Sequence, residues 1–332
     1  MRAAFAGARP RGFGHDGTAA HGTSAFMTKV AALPAAKAGA APNQLRGVLL
    51  MLSAGMAFSV MDATGKHLTH SLPVVEITWG RYLFHLLALP LFLGGQSLRA
   101  AVRSTRVGLQ VVRSALLMGS TFIFFLAVKY IPLGDATSIG FVGPLLVTAL
   151  SVPLLGERVG PRRWTAVCIG FASVLIIIRP GTGMVHWAAL LPLGSASCFA
   201  LYQITTRILS RSDSVPTTYF FSATVGLAVT TACLPSVWVT PSLWQWASLI
   251  FLGSAGGFSH YLLIRAFAIA PASLLAPFAY AQLIWSIAIG YLWFGDFPDL
   301  WTIGGGIIIC LSGIYVIYRE RRVGAAKAAA AA

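Results

Sequence analysis

The chain has 332 residues, of which 57% are hydrophobic and only 10% are charged, and its mean hydropathy is +0.76. A water-soluble protein carries about a quarter charged residues, so this composition excludes a soluble globular protein and indicates a protein embedded in a lipid bilayer. The net charge of +15 would suit nucleic acid, but the basic residues lie mostly between apolar runs, and the chain shows no zinc-finger spacing of Cys and His. We therefore expect no nucleic-acid partner.

Low-complexity tails flank the apolar part of the chain. Residues 1–44 are rich in Ala, Gly, Pro and Arg and contain no continuous apolar run, which predicts a disordered tail and not a secretory signal peptide. Both Met1 and Met27 stay open as the start of translation. Residues 321–332 are mostly alanine and predict a second tail without chemistry of its own.

Between the tails, segments apolar enough to cross a membrane recur with short connections. A spanning helix requires about 20 mostly apolar residues. The predicted fold is therefore an all-α polytopic membrane protein. We predict ten helices, over Leu45–Leu68, Val74–Gly94, Val107–Val128, Asp135–Leu155, Arg163–Ile178, Trp187–Leu209, Thr217–Leu234, Trp246–Phe267, Ala272–Phe294 and Leu300–Tyr318.

The distribution of basic residues predicts the orientation of these spans. If the N-terminus is cytoplasmic, most of the 24 lysines and arginines fall in inner loops and tails, and only Lys66, Lys129 and Arg179 fall on the outer side. Cytoplasmic loops of membrane proteins are enriched in Lys and Arg. Both termini are therefore predicted to be cytoplasmic, in a multi-pass protein of the bacterial inner membrane.

An internal repeat relates the two halves of the chain. The stretch Ile131–Glu157 is echoed by Ala270–Asp296, with a proline at the second position and an acid at the last position of each, and a Trp and an apolar span follow both. Spans one to five are thus predicted to repeat as spans six to ten. Because five is an odd number, the second copy must be inverted in the membrane, which is the architecture of secondary transporters.

Several motifs resemble the drug/metabolite transporter superfamily, in its ten-helix branch built from two EamA domains. The matching residues are Arg81, Ala127–Pro132, Pro144, Leu155–Arg158, Gly170–Leu175, Arg179–Gly181 and Arg265–Pro271, whereas Ser173 and Asp296 depart from the usual glycine and glutamate. Asp62–Lys66 and Glu76–Arg81 are similar to a subgroup that includes S-adenosylmethionine uptake carriers. The resemblance implies EamA repeats at residues 45–180 and 187–320, around a cavity lined by spans one to four and six to nine.

Five of the ionisable residues in the first two predicted spans are candidates for function, because a residue such as Arg or Asp costs about 2.5–3.5 kcal/mol at mid-helix. Asp62 and Lys66 are four residues apart, so we expect them to pair along one helix face. Glu76 and Arg81 point about 140° apart on an ideal helix. Glu76 is therefore expected to reach water at the outer rim, whereas Arg81 needs a partner from elsewhere. His85 lies one turn below Arg81 on the same face.

Alternative roles stay open for these five residues. The Asp62–Lys66 pair serves either to lower the cost of insertion or to bind and couple a substrate. Arg81 binds an anionic group of the cargo, or it pairs with Asp62 or Glu76 in an outer gate. Asp62 or Glu76 is a candidate proton-coupling acid, and His85 is expected to be a hydrogen-bonded structural residue more than a proton relay.

A second set of candidates combines polar and aromatic side chains near mid-depth. Such groups in an apolar pocket suit a small organic solute, although each one alone is equally explained by packing between helices. The set consists of Tyr202, Gln203, His260, Tyr280, Gln282 and Trp285. Pro144 and Pro277 are predicted to interrupt spans four and nine. Arg113 and Arg207 are expected to extend to the cytoplasmic surface.

The chain contains no HExxH, GxSxG or Walker motif, so we expect no enzyme, no metal site, no cofactor and no ATP-driven pump. The favoured function is secondary transport of a small polar or amphipathic metabolite by alternating access. An S-adenosylmethionine-like, amino-acid-like or vitamin-like cargo fits this prediction. Efflux of drugs or metabolites is the alternative, a membrane scaffold or sensor is a remote one, and a homodimer is an assembly that the sequence allows.

Overall fold

The computed structural model describes residues 41–92, 101–155, 159–179, 187–209, 212–270, 275 and 278–331. Every regular element in these ranges is helical, as the composition predicts. The α-helices are α1 (Ala41–Leu68), α2 (Val74–Leu87), α3 (Leu89–Phe92), α4 (Val107–Tyr130), α5 (Leu133–Gly140), α6 (Gly143–Leu155), α7 (Pro161–Ile178), α8 (Leu191–Leu209), α9 (Val215–Cys233), α10 (Leu243–Ile269), α11 (Ala281–Phe294) and α12 (Leu300–Ala331), with 3-10 turns at Trp187–Leu190 and Leu234–Ser236. Most of the predicted N-terminal tail lies outside the described residues, and α12 continues through the alanine-rich C-terminus.

Local sequence explains where several helices begin and end. Ser242 and Gln245 form a capping box at the start of α10, because each side chain binds the backbone N–H of the other residue. Arg179 and Gly295 adopt positive φ angles of 51° and 73° directly after α7 and α11, which ends both helices. Glycine adopts this conformation without a steric penalty, and the turn at Gly295 brings Asp296 to the end of α1.

Seven helical segments of the described chain are long and apolar enough to cross a membrane. They are Leu45–Leu68, Val107–Tyr130, Leu133–Leu154, Pro161–Ile178, Trp187–Thr206, Pro216–Ser236 and Leu300–Arg319. Ala281–Phe294, in the predicted ninth span, is apolar but shorter. The second and eighth predicted spans also lie outside this set of seven. A polytopic helical protein is therefore shown, and the count of ten spans stays a prediction.

Prolines coincide with two breaks in the predicted spans. The second span is not one continuous helix over 74–94 as predicted, because α2 ends at Leu87 and the single turn α3 follows. Pro90 lacks the N–H that would bond the carbonyl four residues earlier. In the fourth span, α5 ends before α6 restarts with Pro144 at its second position, at the predicted interruption. Pro277, the other predicted break, lies outside the described residues.

The helices of the two halves pack mainly on each other. Helix α1 packs against α10 and α11, and α8 packs in the equivalent way against α4 and α6. Helix α2 lies between α9 and α10, α4 contacts α9, and α7 pairs with α12. Exchanging the halves converts α2–α9 and α7–α12 into themselves and each other pair into another pair of the set, so the packing repeats the relationship found in the sequence. The interior consequently lies between the two halves.

The connections between helices distinguish the two ends of the bundle. At one end, which we call the Lys66 end, Lys66 contacts Asp296 and the carbonyl of Ile131 directly after α4. At the opposite end, which we call the Asp213 end, Ser104 before α4 donates a hydrogen bond to Asp213 between α8 and α9. Helix α4 therefore runs from the Asp213 end to the Lys66 end.

Candidate functional site

Arg81 lies in the interior of the bundle, where its side chain is 7% exposed. Its Nη1 donates a hydrogen bond of 2.7 Å to Thr121 Oγ1 on α4, and the Tyr82 hydroxyl lies 3.2 Å from the same oxygen. The rings of Tyr82 and Phe125 lie 5.8 and 5.9 Å from the guanidinium carbon. The buried Nε of Arg81 has no hydrogen-bond partner. A guanidinium with an unused donor in a dry interior is suited to bind an anion.

Asp62 provides a negative charge in the same interior. Its side chain is 7% exposed, and the nearby Arg81 guanidinium acts on it electrostatically. Within the described part of the chain, the Asp62 carboxylate forms neither a hydrogen bond nor an ion pair. Glu76 does not pair with Arg81 either. The interior therefore holds two opposite charges that are close to each other but not in direct contact.

Two histidines and their aromatic neighbours lie beside these charges. The His85 ring stacks on the Tyr219 ring at a centroid distance of 4.0 Å, and the Tyr219 hydroxyl donates to the His85 carbonyl. His260 contacts His85 at 6.2 Å and Phe58 at 5.0 Å, edge to face in both cases. His85 Nε2 is buried without a hydrogen-bond partner. The predicted candidates His85 and His260 thus meet next to Arg81.

Arg113 is a second buried arginine, and the expectation that it extends to the surface is wrong. It is 3% exposed and stacks over the Tyr202 ring at 4.4 Å. Its guanidinium donates to Thr206 Oγ1, Ser222 Oγ and the Tyr202 hydroxyl at 2.6–2.8 Å, and to the carbonyl of Thr218 at 3.3 Å. These acceptors are spaced four residues apart on α8 and on α9, a sequence signal that could have indicated a shared partner but was not used in the prediction. The side chain of Arg207 lies outside the described residues.

A solvent-open pocket of about 550 Å³ lies at the Asp213 end, bordered by residues 103–105 and 212–214 and by Thr217. Burial acts to raise the pKa of Asp213, but hydrogen bonds from Ser104, Gln110 and Thr105 outweigh it, so the pKa lies below its usual value of about 3.8. Gln110 Nε2 also lies 3.4 Å from Thr218 Oγ1, beside the Arg113 site. Gln110 and Thr218 therefore lie between the pocket and Arg113, and the pocket is bordered by neither interior arginine.

Two predictions about the Lys66 end are wrong. Lys66 does not pair with Asp62, because its long side chain extends to Asp296, where Nζ and Oδ2 are 2.6 Å apart. Glu76 does not reach water, since it is fully buried under the connection between α9 and α10. Its Oε2 accepts a hydrogen bond of 3.2 Å from the Val239 N–H. Its place in the first turn of α2 also favours a negative charge.

Four of the predicted candidates are not brought to the cluster of Arg81, Asp62, His85 and His260. Gln203 is exposed on α8. Tyr280 packs against Phe141, with 5.2 Å between ring centroids. Gln282 receives a hydrogen bond from Ser59 only through its backbone carbonyl, and Trp285 Nε1 is buried without a partner. None of the four contacts Arg81 in the described structure. The described residues also contain no group of three or more His, Cys, Asp or Glu side chains that could hold a metal ion.

A multi-span helical bundle with charged and aromatic groups enclosed between two repeated halves defines a membrane carrier of small solutes. The sequence model of the EamA-like transporter family matches the chain twice, at residues 45–179 and 186–319. The chain belongs to this family. It is a multi-pass protein of the bacterial inner membrane and a secondary transporter of a small metabolite.

Three curated relatives match this chain over nearly the whole of their own length. The S-adenosylmethionine uptake transporter of Rickettsia prowazekii is 28% identical over 278 residues, which is 84% of this chain and 94% of the relative. The riboflavin transporter of Vibrio cholerae is 28% identical over 286 residues, covering 84% and 95%. The pseudopaline exporter of Pseudomonas aeruginosa is 28% identical over 276 residues, covering 81% and 94%.

A solved crystal structure shares the fold. It aligns with 82% of this chain and 96% of its own length, with a TM-score of 0.59 and 18% sequence identity. A likeness at this level of identity shows a common architecture and carries no information about cargo.

Proposed function

We propose that the chain is a ten-span carrier whose two repeats, at 45–180 and 187–320, have inverted topology with both termini in the cytoplasm. The two family matches, the exchange symmetry of the helix pairs and the inner location of basic residues support this arrangement. The Lys66 end then faces outward and the Asp213 end faces the cytoplasm. Transport proceeds by rocking of one half against the other around a central site.

The cargo in this proposal carries a zwitterionic head group, as an amino acid does. The observation that supports it is the separation of Arg81 from Asp62, which are both 7% exposed and have no charged partner in contact among the described residues. An anionic group of the cargo binds the Arg81 guanidinium, and a cationic group binds the Asp62 carboxylate. A buried charge is costly without a counter-charge, so a cargo that supplies both charges stabilises the closed interior.

The aromatic groups around this pair bind the body of the cargo. Tyr82, Phe125 and the stacked His85–Tyr219 rings offer flat apolar surfaces beside the charges. An S-adenosylmethionine-like or other amino-acid-like metabolite fits such a site, as the names of the Rickettsia relatives suggest. The proposal includes neither a chemical reaction nor a nucleic-acid partner, and concerns binding and translocation alone.

The test is uptake of radiolabelled S-adenosylmethionine and amino acids into proteoliposomes that contain the full chain. Arg81→Ala is expected to lower uptake about 10- to 100-fold, because a hydrogen bond to a charged group contributes about 1.5–3 kcal/mol. Arg81→Lys keeps the charge but not the planar fork and should be intermediate. Unchanged uptake by both variants contradicts the proposal.

Asp62→Asn and Glu76→Gln form a matched pair in the same assay. Each removes one buried carboxylate charge, but only Asp62 lies beside Arg81. Asp62→Asn is expected to lower uptake of zwitterions strongly. If Asp62 also couples transport to protons, the remaining uptake loses its dependence on an imposed pH gradient, whereas Glu76→Gln should retain both uptake and that dependence. If the Glu76 variant loses uptake and the Asp62 variant keeps full uptake, the acid that transport requires is Glu76, and the proposal for Asp62 is wrong.

Export is the alternative direction for the same site, as the exporter from Pseudomonas illustrates. The central charges bind cargo equally from either side, so the direction depends on the gradients and not on the site. Resistance or secretion phenotypes of cells that produce the protein, compared with uptake in the same cells, separate export from import.

A further inference from the structure

Between the Lys66 end, where the buried Glu76 lies, and the Asp213 end, the described residues carry more positive than negative charge. Of the described residues between the two ends, the charged ones are Arg81, Arg113 and Asp62. The two imidazoles, His85 and His260, can only add positive charge. Both guanidiniums act electrostatically on His260, so they belong to one electrostatic environment.

Arg113 differs from the cations at the ends of the bundle because no carboxylate in the described part of the chain contacts it. Lys66 is paired with Asp296, and Arg179 is paired with Asp299. The four acceptors around Arg113 are three hydroxyl groups and one backbone carbonyl, all neutral. Removing a charge from water without a counter-ion is costly, and hydroxyl groups compensate only part of that cost.

The hydrogen bonds of Arg113 leave one of its donors available for an anion. A guanidinium has five N–H donors, and four hydrogen bonds to described residues leave one donor on Nη2 unused. Along α4, Arg113 lies eight residues before Thr121, the partner of Arg81, which is about 12 Å on an ideal helix. On the other side, Gln110 and Thr218 connect Arg113 to the open pocket at Asp213.

We infer that Arg113 binds a second anionic group, and that the cargo therefore carries net negative charge. This inference rests on the proposed function, in which Arg81 and Asp62 bind a zwitterionic head. A second carboxylate or a phosphate on the same molecule then meets Arg113, on the path to the Asp213 end. The substrate class is an acidic or phosphorylated amino-acid-type metabolite, and a cationic one such as S-adenosylmethionine binds less tightly.

The test measures binding to the purified full chain by thermal stabilisation and by displacement titration. Three pairs of probes are used. Within each pair, one member carries either one or more additional negative charges or one positive charge fewer than the other. The pairs are L-glutamate with L-glutamine, O-phospho-L-serine with L-serine, and S-adenosylhomocysteine with S-adenosylmethionine. We expect the more negative member to bind at least about tenfold more tightly in each pair that binds.

Variants of the two arginines assign the preference to Arg113. In Arg113→Gln the preference should fall to less than about threefold while the zwitterionic members still bind, and in Arg113→Lys it should persist. The preference is first measured in the unmodified chain. Misfolding of a variant therefore does not prevent a decision on whether the protein prefers cargo with net negative charge. Thermal unfolding without ligand identifies such a variant.

The outcomes separate this inference from the proposed function. Equal or tighter binding of the more positive members, with binding that still depends on Arg81, overturns the inference alone. A preference that survives in Arg113→Gln overturns the assignment to Arg113. No binding of any probe contradicts both this inference and the proposed zwitterion site.

Discussion

The ammonium group of Lys66, at the end of α1, lies 2.6 Å from the carboxylate of Asp296, which follows the turn at Gly295. The pair joins the first half of the chain to the second across 230 residues of sequence. The side chain of Lys66 is 8% exposed and that of Asp296 is 34% exposed. In the proposed transport cycle the two halves separate at this end, so the pair is predicted to act as a latch between them.

The unequal burial of the two partners predicts unequal effects of their removal. Asp296→Asn leaves a buried ammonium without a counter-charge, whereas Lys66→Met leaves a carboxylate that water can reach. We expect the first variant to lose more thermal stability than the second, and the double-mutant cycle to give a coupling of about 1 kcal/mol. Equal losses with zero coupling in detergent unfolding experiments would contradict the latch.

Thr121 accepts the hydrogen bond of Arg81 and is predicted to position it. Thr121→Val keeps the shape of the side chain and removes the acceptor, so uptake should fall about tenfold, corresponding to roughly 1.4 kcal/mol. Thr121→Ser retains the hydroxyl and is the matched control. The KM for zwitterionic cargo should rise in the valine variant only, and an unchanged KM there would exclude a positioning role.

Gly253 allows α10 to approach α2 closely. A Cβ at this position would lie 2.5 Å from Phe84 Cβ and 2.8 Å from the Arg81 carbonyl, whereas a Cβ at Gly304 of α12 would meet nothing within 4 Å. Gly253→Ala should therefore destabilise the protein by about 1–3 kcal/mol and lower uptake, because the backbone at Arg81 must move. Gly304→Ala should be neutral or stabilising by up to about 1 kcal/mol. Similar unfolding midpoints for the two variants would disprove the close crossing.

The hydrogen bonds to Asp213 predict a pH dependence of stability at the Asp213 end. A carboxylate with a lowered pKa stabilises the folded state fully above its usual pKa of about 3.8, and this contribution disappears as the pH falls through the lower folded value. Asp213→Asn should cost about 1 kcal/mol at pH 5–8, with a difference that is constant in this range and vanishes only below pH 4. A difference that already fades between pH 7 and pH 5 would show that the pKa of Asp213 is raised.

Part of the site was predictable because one helix determines its geometry. Arg81 and His85 are four residues apart in α2, so helical spacing alone places them on one face, and both face the interior. The same reasoning is wrong for Asp62 and Lys66. Spacing allows that pair, but Asp296, distant in sequence, competes for the ammonium and binds it.

Arg113 illustrates what spacing along one helix does not decide. Its position near one end of a span is compatible with a side chain that reaches water and with one that turns inward. The choice depends on α8 and α9, which place the hydroxyls of Tyr202, Thr206 and Ser222 around it. Only the tertiary structure brings these helices together.

The sequence by itself determined that the chain is a helical membrane protein with two related halves, because a bilayer demands long apolar helices and a duplication leaves matching motifs. It also determined that Arg81 is a buried charge in need of a partner. The tertiary structure decided which charges meet: Lys66 with Asp296, Glu76 with the Val239 N–H, and Arg113 with neutral hydroxyls. The physical reason is that electrostatic and hydrogen-bond partners act over a few ångströms in space, and helix packing sets that distance independently of distance along the chain.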